Sequence, residues 1–251
     1  MCVDLSFFSN IEVMAEYLPE LSEQSPIDFA FEPTYHRIAH AHRVWPVVIN
    51  QKGQLQIKGF EWGLIDQSMA TLSPKERAKR RLSMVNARSE RVLGDTWSVW
   101  KGIRHQRCLV PTTGFFEHKE IAGRKQPYFI RVKEAPLFFI AGLYQYSPVP
   151  DVETGECKGT FTLLTQASNE LLTEIHNSGD NRHRMPLMLQ QDVLKSWLNP
   201  ELTDSEMQEL LLAKMPSGAL EAWPVRSIRQ VKEDNQKVIE PIAVSDQASL
   251  F

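Results

Sequence analysis

The sequence is short of cysteine, of long apolar runs and of net charge. Its three cysteines, Cys2, Cys108 and Cys157, lie far apart and form no CxxC pair, which disfavours a zinc knuckle or a dithiol redox site. No apolar run reaches the roughly 20 residues that span a bilayer, and the N-terminus lacks the basic and apolar regions of a signal peptide. The formal net charge is -3, so the molecule as a whole has no field that attracts nucleic acid. We therefore expect a reduced, cytoplasmic, monomeric protein without a membrane partner.

Motifs for metal binding and for serine hydrolysis are also scarce. His36 and His40 have the i, i+4 spacing of a helical metal-binding pair, but no third ligand follows at a standard spacing. No GxSxG nucleophile elbow is present, so a serine-hydrolase triad is not expected. The sequence predicts no metal and no cofactor.

The chain has the length and apolar content of one compact domain. Its 251 residues are 42% hydrophobic and contain no repeat or linker, so we predict a single domain over residues 1–251. Apolar patterning predicts strands at 44–50, 54–65, 107–120, 127–132, 137–146 and 160–167. It predicts helices at 11–18, 73–81, 168–176, 191–198 and 203–215. Strands outnumber helices and no regular crossover helices separate them, which indicates an α+β fold.

Local start and turn signals are clearest at three places. Ser73 with Glu76 forms a capping box, and Thr203 with Glu206 forms a second one. In NQKG, Gly53 can take the positive φ that a tight hairpin needs. These signals predict two helix starts and one β-hairpin, and Ser168 is expected near the start of a third helix.

One segment of this acidic protein is strongly basic. Residues 75–91 carry seven basic side chains against two glutamates, a local net charge of +5. Such a segment is either a solvated helix face with ion pairs or a phosphate-binding surface, and the charge alone does not decide between them. The basic residues are Lys75, Arg77, Lys79, Arg80, Arg81, Arg88 and Arg91.

Several other side chains are candidates for chemistry. Asn86 and Arg88 stand two apart in VNARSER, so an extended backbone would project both to one side. Glu117 follows an aromatic pair at the end of an apolar strand, where partial burial would raise its pKa toward that of a general acid or base; a solvated glutamate is the alternative. His176 ends a predicted helix and His183 precedes an apolar run, and each can equally be structural.

Nine fragments occur in a specific order along the chain. They are MC at the start, FEWGLI, VNARSER, RCLVPTTGFFEHKE, KQPYFI, FFIAGLY, FTLLTQASNELLTEIH, RMPLML and WPVRSI. In this order they resemble the SOS-response-associated peptidase (SRAP) family over most of the chain. The resemblance implies a β-barrel-like mixed sheet surrounded by helices, and it implies binding of single-stranded DNA that contains abasic sites.

The resemblance also implies residue roles. Matched by motif, the catalytic residues would be Cys2, Asn86, Glu117 and His176, and Arg88 would hold a phosphate. Cys2 would be the nucleophile that joins the abasic aldehyde, Asn86 a positioning hydrogen bonder and Glu117 the acid/base. His176 would be a second acid that helps to open the sugar ring, for which a histidine is suited.

The chemistry of an N-terminal cysteine agrees with these roles. Removal of Met1 would give Cys2 a free α-amine with a pKa of about 7.7–8.0, so roughly a tenth of it is neutral at pH 7, against about 0.04% for a lysine. Neutral amine attacks an aldehyde, and the neighbouring thiol can then close a five-membered thiazolidine ring. Met1 removal is itself a peptide hydrolysis, performed either by this chain as an autopeptidase or by an aminopeptidase.

The first residues depart from the usual family pattern. Val3 and Asp4 stand where the family commonly has glycine and arginine, which removes a phosphate contact and adds a carboxylate. We expect the predicted basic helix to supply the missing contact through Arg77, Arg80 and Arg81.

Histidines mark the other departures. His36 replaces a common asparagine, and His118 in GFFEH replaces an aromatic residue. The family's compact HxRMP is expanded here to IHNSGDNRHRMP, so His176 and His183 compete for one role. We favour His176 because it keeps the preceding helix and isoleucine.

Two other functions stay open from the sequence. A cysteine protease with an N-terminal nucleophile would use Cys2 and Glu117 on other proteins, but it would not explain the basic segment. A non-catalytic module that binds single-stranded nucleic acid would make Cys2 incidental.

Overall fold

Two β-sheets dominate the computed structural model, which describes residues 2–23, 27–94, 97–229, 231 and 233–243. The described strands are β1 (Asp4–Phe7), β2 (Thr34–Ile38), β3 (Val44–Gln51), β4 (Gln54–Trp62), β5 (Asn86–Arg88), β6 (Arg107–Thr112), β7 (Gly114–Ile121), β8 (Arg124–Val132), β9 (Phe138–Tyr146), β10 (Gly159–Ala167), β11 (Arg184–Pro186), β12 (Met188–Leu189) and β13 (Leu220–Pro224). The α-helices are α1 (Pro74–Arg81), α2 (Glu90–Leu93), α3 (Val99–Gly102), α4 (Glu170–Ile175), α5 (Leu194–Leu198) and α6 (Asp204–Leu212).

The two sheets differ in topology. The first has five strands in the order β13-β8-β7-β1-β2, and each neighbouring pair is antiparallel. In the second, β4, β3, β6, β9 and β10 pair in succession, and β10 returns to β4, so five strands close a ring. β10 runs parallel to β4 and β5, whereas the other pairs of the ring are antiparallel. The predicted α+β class is confirmed, and its barrel-like part is this closed ring.

The chain passes from one sheet to the other at Thr113. We predicted one strand over 107–120, but β6 belongs to the ring and β7 to the first sheet. The backbone N–H of Thr113 and the hydroxyl of Thr112 both donate to the carbonyl oxygen of Ser6 in β1, at 2.9 and 2.7 Å. Gly114 then packs under the Phe129 ring, which a Cβ would meet at 2.1 Å. The prediction of a single strand was wrong because tertiary contacts, which local patterning does not encode, bend the chain here.

Both predicted capping boxes are present. In α1 the Ser73 side chain accepts from the Glu76 N–H, and Glu76 accepts from the Ser73 N–H; Thr203 and Glu206 do the same in α6. The predicted hairpin joins β3 to β4, and Gly53 has a φ of 85°. These predictions are confirmed because each depends only on neighbouring residues.

Three predicted helices begin or continue differently. Residues 11–18 form a 3-10 helix over Ile11–Glu16, since Pro19 disfavours an α conformation in the residue before it. The cap of α4 is Asn169, whose side chain accepts from the Leu172 N–H, rather than Ser168. The segment 191–198 starts as a 3-10 helix (Gln191–Val193) before α5.

The apolar core is divided between the ring and the first sheet. Most buried residues form one cluster around the ring, and five more form a small second cluster: Phe116, Phe129, Val225, Ile228 and Val238. This second cluster attaches the C-terminal segment to the first sheet, so residues near position 229 lie over the strands that follow Cys2. Within the described ranges, no helix combines the length and apolar content needed to cross a bilayer.

Candidate active site

The candidate site lies where the first sheet meets the ring. Cys2 lies two residues before the start of β1, which pairs antiparallel with β7 through Leu5 opposite Phe115. Continuing that register by two residues brings Val3 opposite Glu117. The chain that leads into β1 therefore brings Cys2 close to Glu117, 115 positions away in the sequence, and both side chains are buried.

Asn86 reaches Cys2 from the second sheet. It begins β5, which pairs parallel with β10 beside Leu163. The Asn86 Nδ2 donates a 2.7 Å hydrogen bond to the carbonyl oxygen of Cys2. Its Oδ1 is also buried and accepts no hydrogen bond within the described part of the chain. Asn86 therefore fixes the backbone of Cys2 and retains one buried acceptor there.

His176 approaches Glu117 from the end of α4. Its Nε2 lies 3.8 Å from Oε2 of Glu117, and its Nδ1 donates to the carbonyl oxygen of Arg184 at 2.9 Å. Asn177 anchors this end of the helix to β7, because its side chain accepts from the Glu120 N–H and donates to the Glu120 carbonyl. The Arg184 carbonyl requires a proton on Nδ1, so neutral His176 presents an unprotonated Nε2 to Glu117.

The competing histidine lies elsewhere. His183 is exposed, has a positive φ of 59°, and contacts His176 through a backbone hydrogen bond from its N–H to the His176 carbonyl. The seven residues between His176 and Arg184, where HxRMP has one, form a loop between α4 and β11. The expanded motif thus leaves one histidine buried beside Glu117 and turns the other toward solvent.

Burial sets the protonation states of the site. It raises the pKa of Glu117 to about 7 and lowers the pKa of His176 to about 4. Burial, followed by the negative charge of Glu117, raises the pKa of the Cys2 thiol well above its usual value. Near neutral pH, Glu117 is therefore about half protonated, His176 is neutral and the thiol keeps its proton.

Asp4, two residues after Cys2, is a buried carboxylate with two cationic or donor partners. Arg229 donates to both of its oxygens at 2.7 Å, and Nε2 of His36 donates to Oδ1 at 2.8 Å. Burial alone would raise the pKa of Asp4, but the hydrogen bonds from His36 and Arg229 hold it below its usual value. The ring of His36 also packs edge-on against Phe116. The unusual carboxylate near Cys2 is therefore matched by an arginine from the C-terminal segment.

A basic cleft opens from the site. Its volume is about 850 Å³, and Asn86 forms part of its wall. Among the described residues, the wall carries one acidic side chain, Asp66, and five basic side chains, Arg80, Arg88, Arg91, Lys101 and Arg104, which together define the basic cleft. Trp97 lies at its edge with 95% of its surface exposed. Lys101, Arg104 and Trp97 were not predicted from the sequence, although the basic pair in WKGIR was a usable signal.

The three arginines expected from the basic helix separate in the structure. Arg80 lines the basic cleft together with Arg88. Arg81 instead donates to the Gly63 carbonyl at 2.8 Å and pairs with Glu61 at 2.7 Å. Arg77 donates to the Leu72 carbonyl at 3.1 Å. Only one of the three therefore faces the cleft, and the other two bind neighbouring parts of the protein.

In the described ranges, no group of three or more His, Cys, Asp or Glu side chains is close enough to hold a metal ion. His36 lies in β2, and His40 lies in the short 3-10 helix Ala39–Ala41 that follows it, so the two do not share one helix.

Comparison with known proteins identifies relatives of the whole domain. The family model "SOS response associated peptidase (SRAP)" matches residues 1–231. The abasic site processing protein YoqW of Bacillus subtilis is 30% identical over 246 residues, covering 96% of this chain and 99% of the relative. YobE of the same species, also an abasic site processing protein, is 30% identical over 233 residues, 91% of this chain and 95% of the relative. A crystal structure of a protein from Bacteroides thetaiotaomicron superposes with a TM-score of 0.82 at 27% identity, covering 96% of this chain and all of the other.

Proposed function

The chain belongs to the SRAP family, and we propose that it processes abasic sites in single-stranded DNA by forming a covalent thiazolidine between Cys2 and the abasic aldehyde. The observation that supports this most is the convergence of Cys2, Glu117 and Asn86 from three distant segments at one buried point. The abasic-processing names of YoqW and YobE agree with it. The setting we propose is the cytoplasm.

The first step is attack by the α-amine. Once Met1 is removed, the neutral amine of Cys2 adds to the aldehyde carbon and gives a carbinolamine. Glu117, with a pKa of about 7, takes the amine proton and then returns a proton to the departing hydroxyl, which leaves as water. A solvated glutamate would be too weak a base and would be deprotonated too fully to act as the acid. The raised pKa therefore supports both halves of this role.

The thiol acts second. Its raised pKa keeps it protonated, so it does not compete as a thiolate for the aldehyde. When the imine has formed, the thiol adds to the same carbon and its proton goes to the nitrogen, which closes the five-membered ring. The net reaction joins the aldehyde to the aminothiol and releases one water.

His176 is proposed to deliver a proton to the sugar ring oxygen. In its neutral form Nε2 has no proton, because Nδ1 binds the Arg184 carbonyl. Protonated Glu117, 3.8 Å away, is the neighbouring proton source. The separation is too long for a hydrogen bond in this state, so transfer requires a small approach of the two side chains. His176 is then charged and acidic enough to protonate the ring oxygen while the C1′–O bond of the ring breaks. The C1′ hydroxyl loses its proton to water and becomes the aldehyde, and Glu117 is left as the carboxylate that the amine attack requires.

Asn86 and Arg88 complete the proposed site. Asn86 holds the Cys2 carbonyl, and its free Oδ1 is a suitable acceptor for the N–H of the attacking amine. Arg88, two residues further along β5, lines the basic cleft and is proposed to bind a phosphate next to the reacting nucleotide. The chemistry needs no cofactor.

The removal of Met1 is proposed to use the same acid/base residue. In this step the Cys2 thiol attacks the Met1 carbonyl, and Glu117 takes the thiol proton and passes it to the leaving amine. Water then hydrolyses the resulting thioester, which releases methionine and restores the thiol. Intact mass after synthesis in a purified translation system without aminopeptidases tests this. Processed wild type and unprocessed Glu117→Gln protein support autopeptidase activity, whereas unprocessed wild type contradicts it.

A single experiment separates the proposed function from its rivals. The untagged protein is incubated with an oligonucleotide containing one abasic site, denatured, and analysed by gel and intact mass. We expect a heat-resistant conjugate with wild type and none with Cys2→Ala. Turnover of unrelated peptides without a conjugate would favour the protease, and binding that survives Cys2→Ala without any conjugate in wild type would favour a simple binding module.

A further inference from the structure

The indole of Trp97 is exposed, and the proposed chemistry gives it no role. Trp45, Trp62, Trp100 and Trp197 are all at least 95% buried, whereas Trp97 is 95% exposed. An aromatic ring of this size is ordinarily covered by protein, because water solvates its apolar faces poorly. We therefore looked to the surface around Trp97 for a reason why this ring is exposed.

The backbone on the C-terminal side of Trp97 is held in place by hydrogen bonds. Ser98 is buried and caps α3, where its Oγ accepts from the Trp100 N–H at 3.2 Å and its carbonyl accepts from the Lys101 N–H at 3.1 Å. Trp100 is itself in the core. The indole thus projects from a residue that adjoins an anchored helix start, at the edge of the basic cleft.

The charge of the cleft selects the kind of partner. Among the described residues, five basic side chains and one acidic side chain line it, although the whole chain has a net charge of -3. A second copy of this chain docked on the same face would bring equal charges together, and an apolar peptide would bring no opposite charge. A polyanion complements the net positive charge of this wall.

The exposed ring beside the cations indicates which kind of polyanion fits this surface. Bases of single-stranded DNA stack on aromatic side chains, whereas bases of a duplex have both faces covered by neighbours. The cleft also reaches Asn86, the residue that binds the Cys2 carbonyl. One strand can therefore have its damaged nucleotide at Cys2 and its neighbouring phosphates along the cleft.

We propose that Trp97 is a stacking platform for an undamaged base of the bound strand, at the edge of the basic cleft. This inference rests on the proposed binding of single-stranded DNA and adds the residue that engages a base rather than a phosphate. Stacking tolerates any base, so Trp97 would strengthen binding without selecting a sequence.

The test uses reversible binding, which does not depend on the covalent step. The probe is a fluorescein-labelled oligonucleotide with a tetrahydrofuran abasic analogue, which has no aldehyde. We expect Trp97→Ala to weaken binding about 5- to 100-fold and Trp97→Phe to retain binding within about threefold, because loss of one base–aromatic stack has effects of this size. Val152→Ala, at an equally exposed apolar residue outside the cleft, is the matched control and should bind like wild type.

Two further measurements test whether weaker binding by Trp97→Ala is caused by the loss of base stacking. The salt dependence of binding should be the same in Trp97→Ala as in wild type, because no phosphate contact is removed. Oligonucleotide should quench the tryptophan fluorescence of wild type, and Trp97→Phe should lose that quenching. Unchanged affinity in Trp97→Ala overturns the inference, and so does a wild-type dimer in sedimentation that Trp97→Ala converts to monomer.

The outcomes also distinguish the two proposals. If Trp97→Ala weakens binding but wild type forms no conjugate with a true abasic site, the stacking inference stands and the proposed chemistry fails. If conjugates form normally but Trp97 does not affect reversible binding, only the stacking inference fails. Absence of any binding to single strands by wild type would overturn both.

Discussion

Arg229 donates two hydrogen bonds of 2.7 Å to the two carboxylate oxygens of Asp4, across 225 positions of sequence. Asp4 is only 1% exposed, whereas the Arg229 side chain is 46% exposed. The C-terminal segment therefore carries the counter-charge for a buried carboxylate on the strand that follows Cys2. An acid stands at position 4, where the family resemblance led us to expect an arginine, and Arg229 from the C-terminal segment lies beside it.

Removing Arg229 should destabilise the protein more than removing the charge of Asp4. Arg229→Ala leaves a buried carboxylate with His36 as its remaining partner, and we expect a loss of about 2–3 kcal/mol in the free energy of unfolding. Asp4→Asn leaves a half-exposed arginine that water can solvate, and a loss of about 1 kcal/mol is expected. Urea unfolding at pH 7 measures both, and equal losses would contradict this account.

The same pair predicts an acid limb in stability. Its hydrogen bonds hold the folded-state pKa of Asp4 below the unfolded value of about 3.9. The stabilisation is therefore complete above that pH and is lost as the pH falls through the folded-state pKa. The Asp4→Asn variant should lack this part of the acid limb in unfolding curves measured between pH 5 and pH 2.

Glu117 should produce the opposite trend. Its folded-state pKa of about 7 lies above the ordinary value of 4.5, so the folded protein binds the extra proton between these pH values. Subtracting the Glu117→Gln curve from the wild-type curve isolates this contribution, which should fall by an amount on the order of 3 kcal/mol as the pH rises from about 5 to about 8. The subtraction is needed because the lowered pKa of His176 makes the contribution of that residue rise as the pH approaches the ordinary histidine value. The control is Glu156→Gln, an exposed position, which should follow the wild-type curve. A difference curve that stays flat or rises over this range would contradict the raised pKa.

Reaction rates should separate the two histidines. His176→Ala is expected to slow conjugate formation about 100-fold with an ordinary abasic site, because it removes a proton donor, whereas exposed His183→Ala should change the rate less than twofold. An oligonucleotide that carries a permanently open aldehyde bypasses ring opening and should react with His176→Ala at nearly the wild-type rate. A slow reaction with both substrates would assign His176 to a later step, and a slow reaction of His183→Ala alone would reverse the assignment.

Arginines of the basic segment should differ in DNA binding. Arg80→Ala and Arg88→Ala should each reduce the magnitude of the salt slope by about 0.7, the value for one phosphate of a single strand. Arg77→Ala is the matched control, because its guanidinium binds the Leu72 carbonyl, and its slope should be unchanged. Arg81→Ala should reduce stability instead, since it removes the partner of Glu61. Equal slope changes in all four variants would indicate a diffuse electrostatic effect.

Local sequence signals predicted local structure well. The capping boxes at Ser73 and Thr203 and the turn at Gly53 each depend on residues within one turn, and all three are present. The change of sheet at Thr113 was missed because its bonds go to Ser6, more than a hundred residues away. Strand patterning cannot show which sheet a strand joins.

The candidate site was predictable as a set of residues but not as a geometry. Ordered motifs brought Cys2, Asn86 and Glu117 together, and their convergence follows from strand pairing that no single motif contains. The Asp4–Arg229 pair could not be predicted from the sequence, because the two residues are 225 positions apart and no motif contains both. The basic cleft was only partly visible, since its cations come from several segments and helix α1 turns two of its arginines away.

Cys2 is 1% exposed and lies two residues before β1, which sits between β7 and β2 rather than at an edge. A nucleotide attached there would share the burial of this N-terminal segment, so the linkage would be shielded from hydrolysis by bulk water. The lifetime of such a conjugate would then be set by how often the first sheet opens. Conditions that loosen the sheet should shorten that lifetime, and a protease that digests only the outside of the domain would leave the lesion still covered.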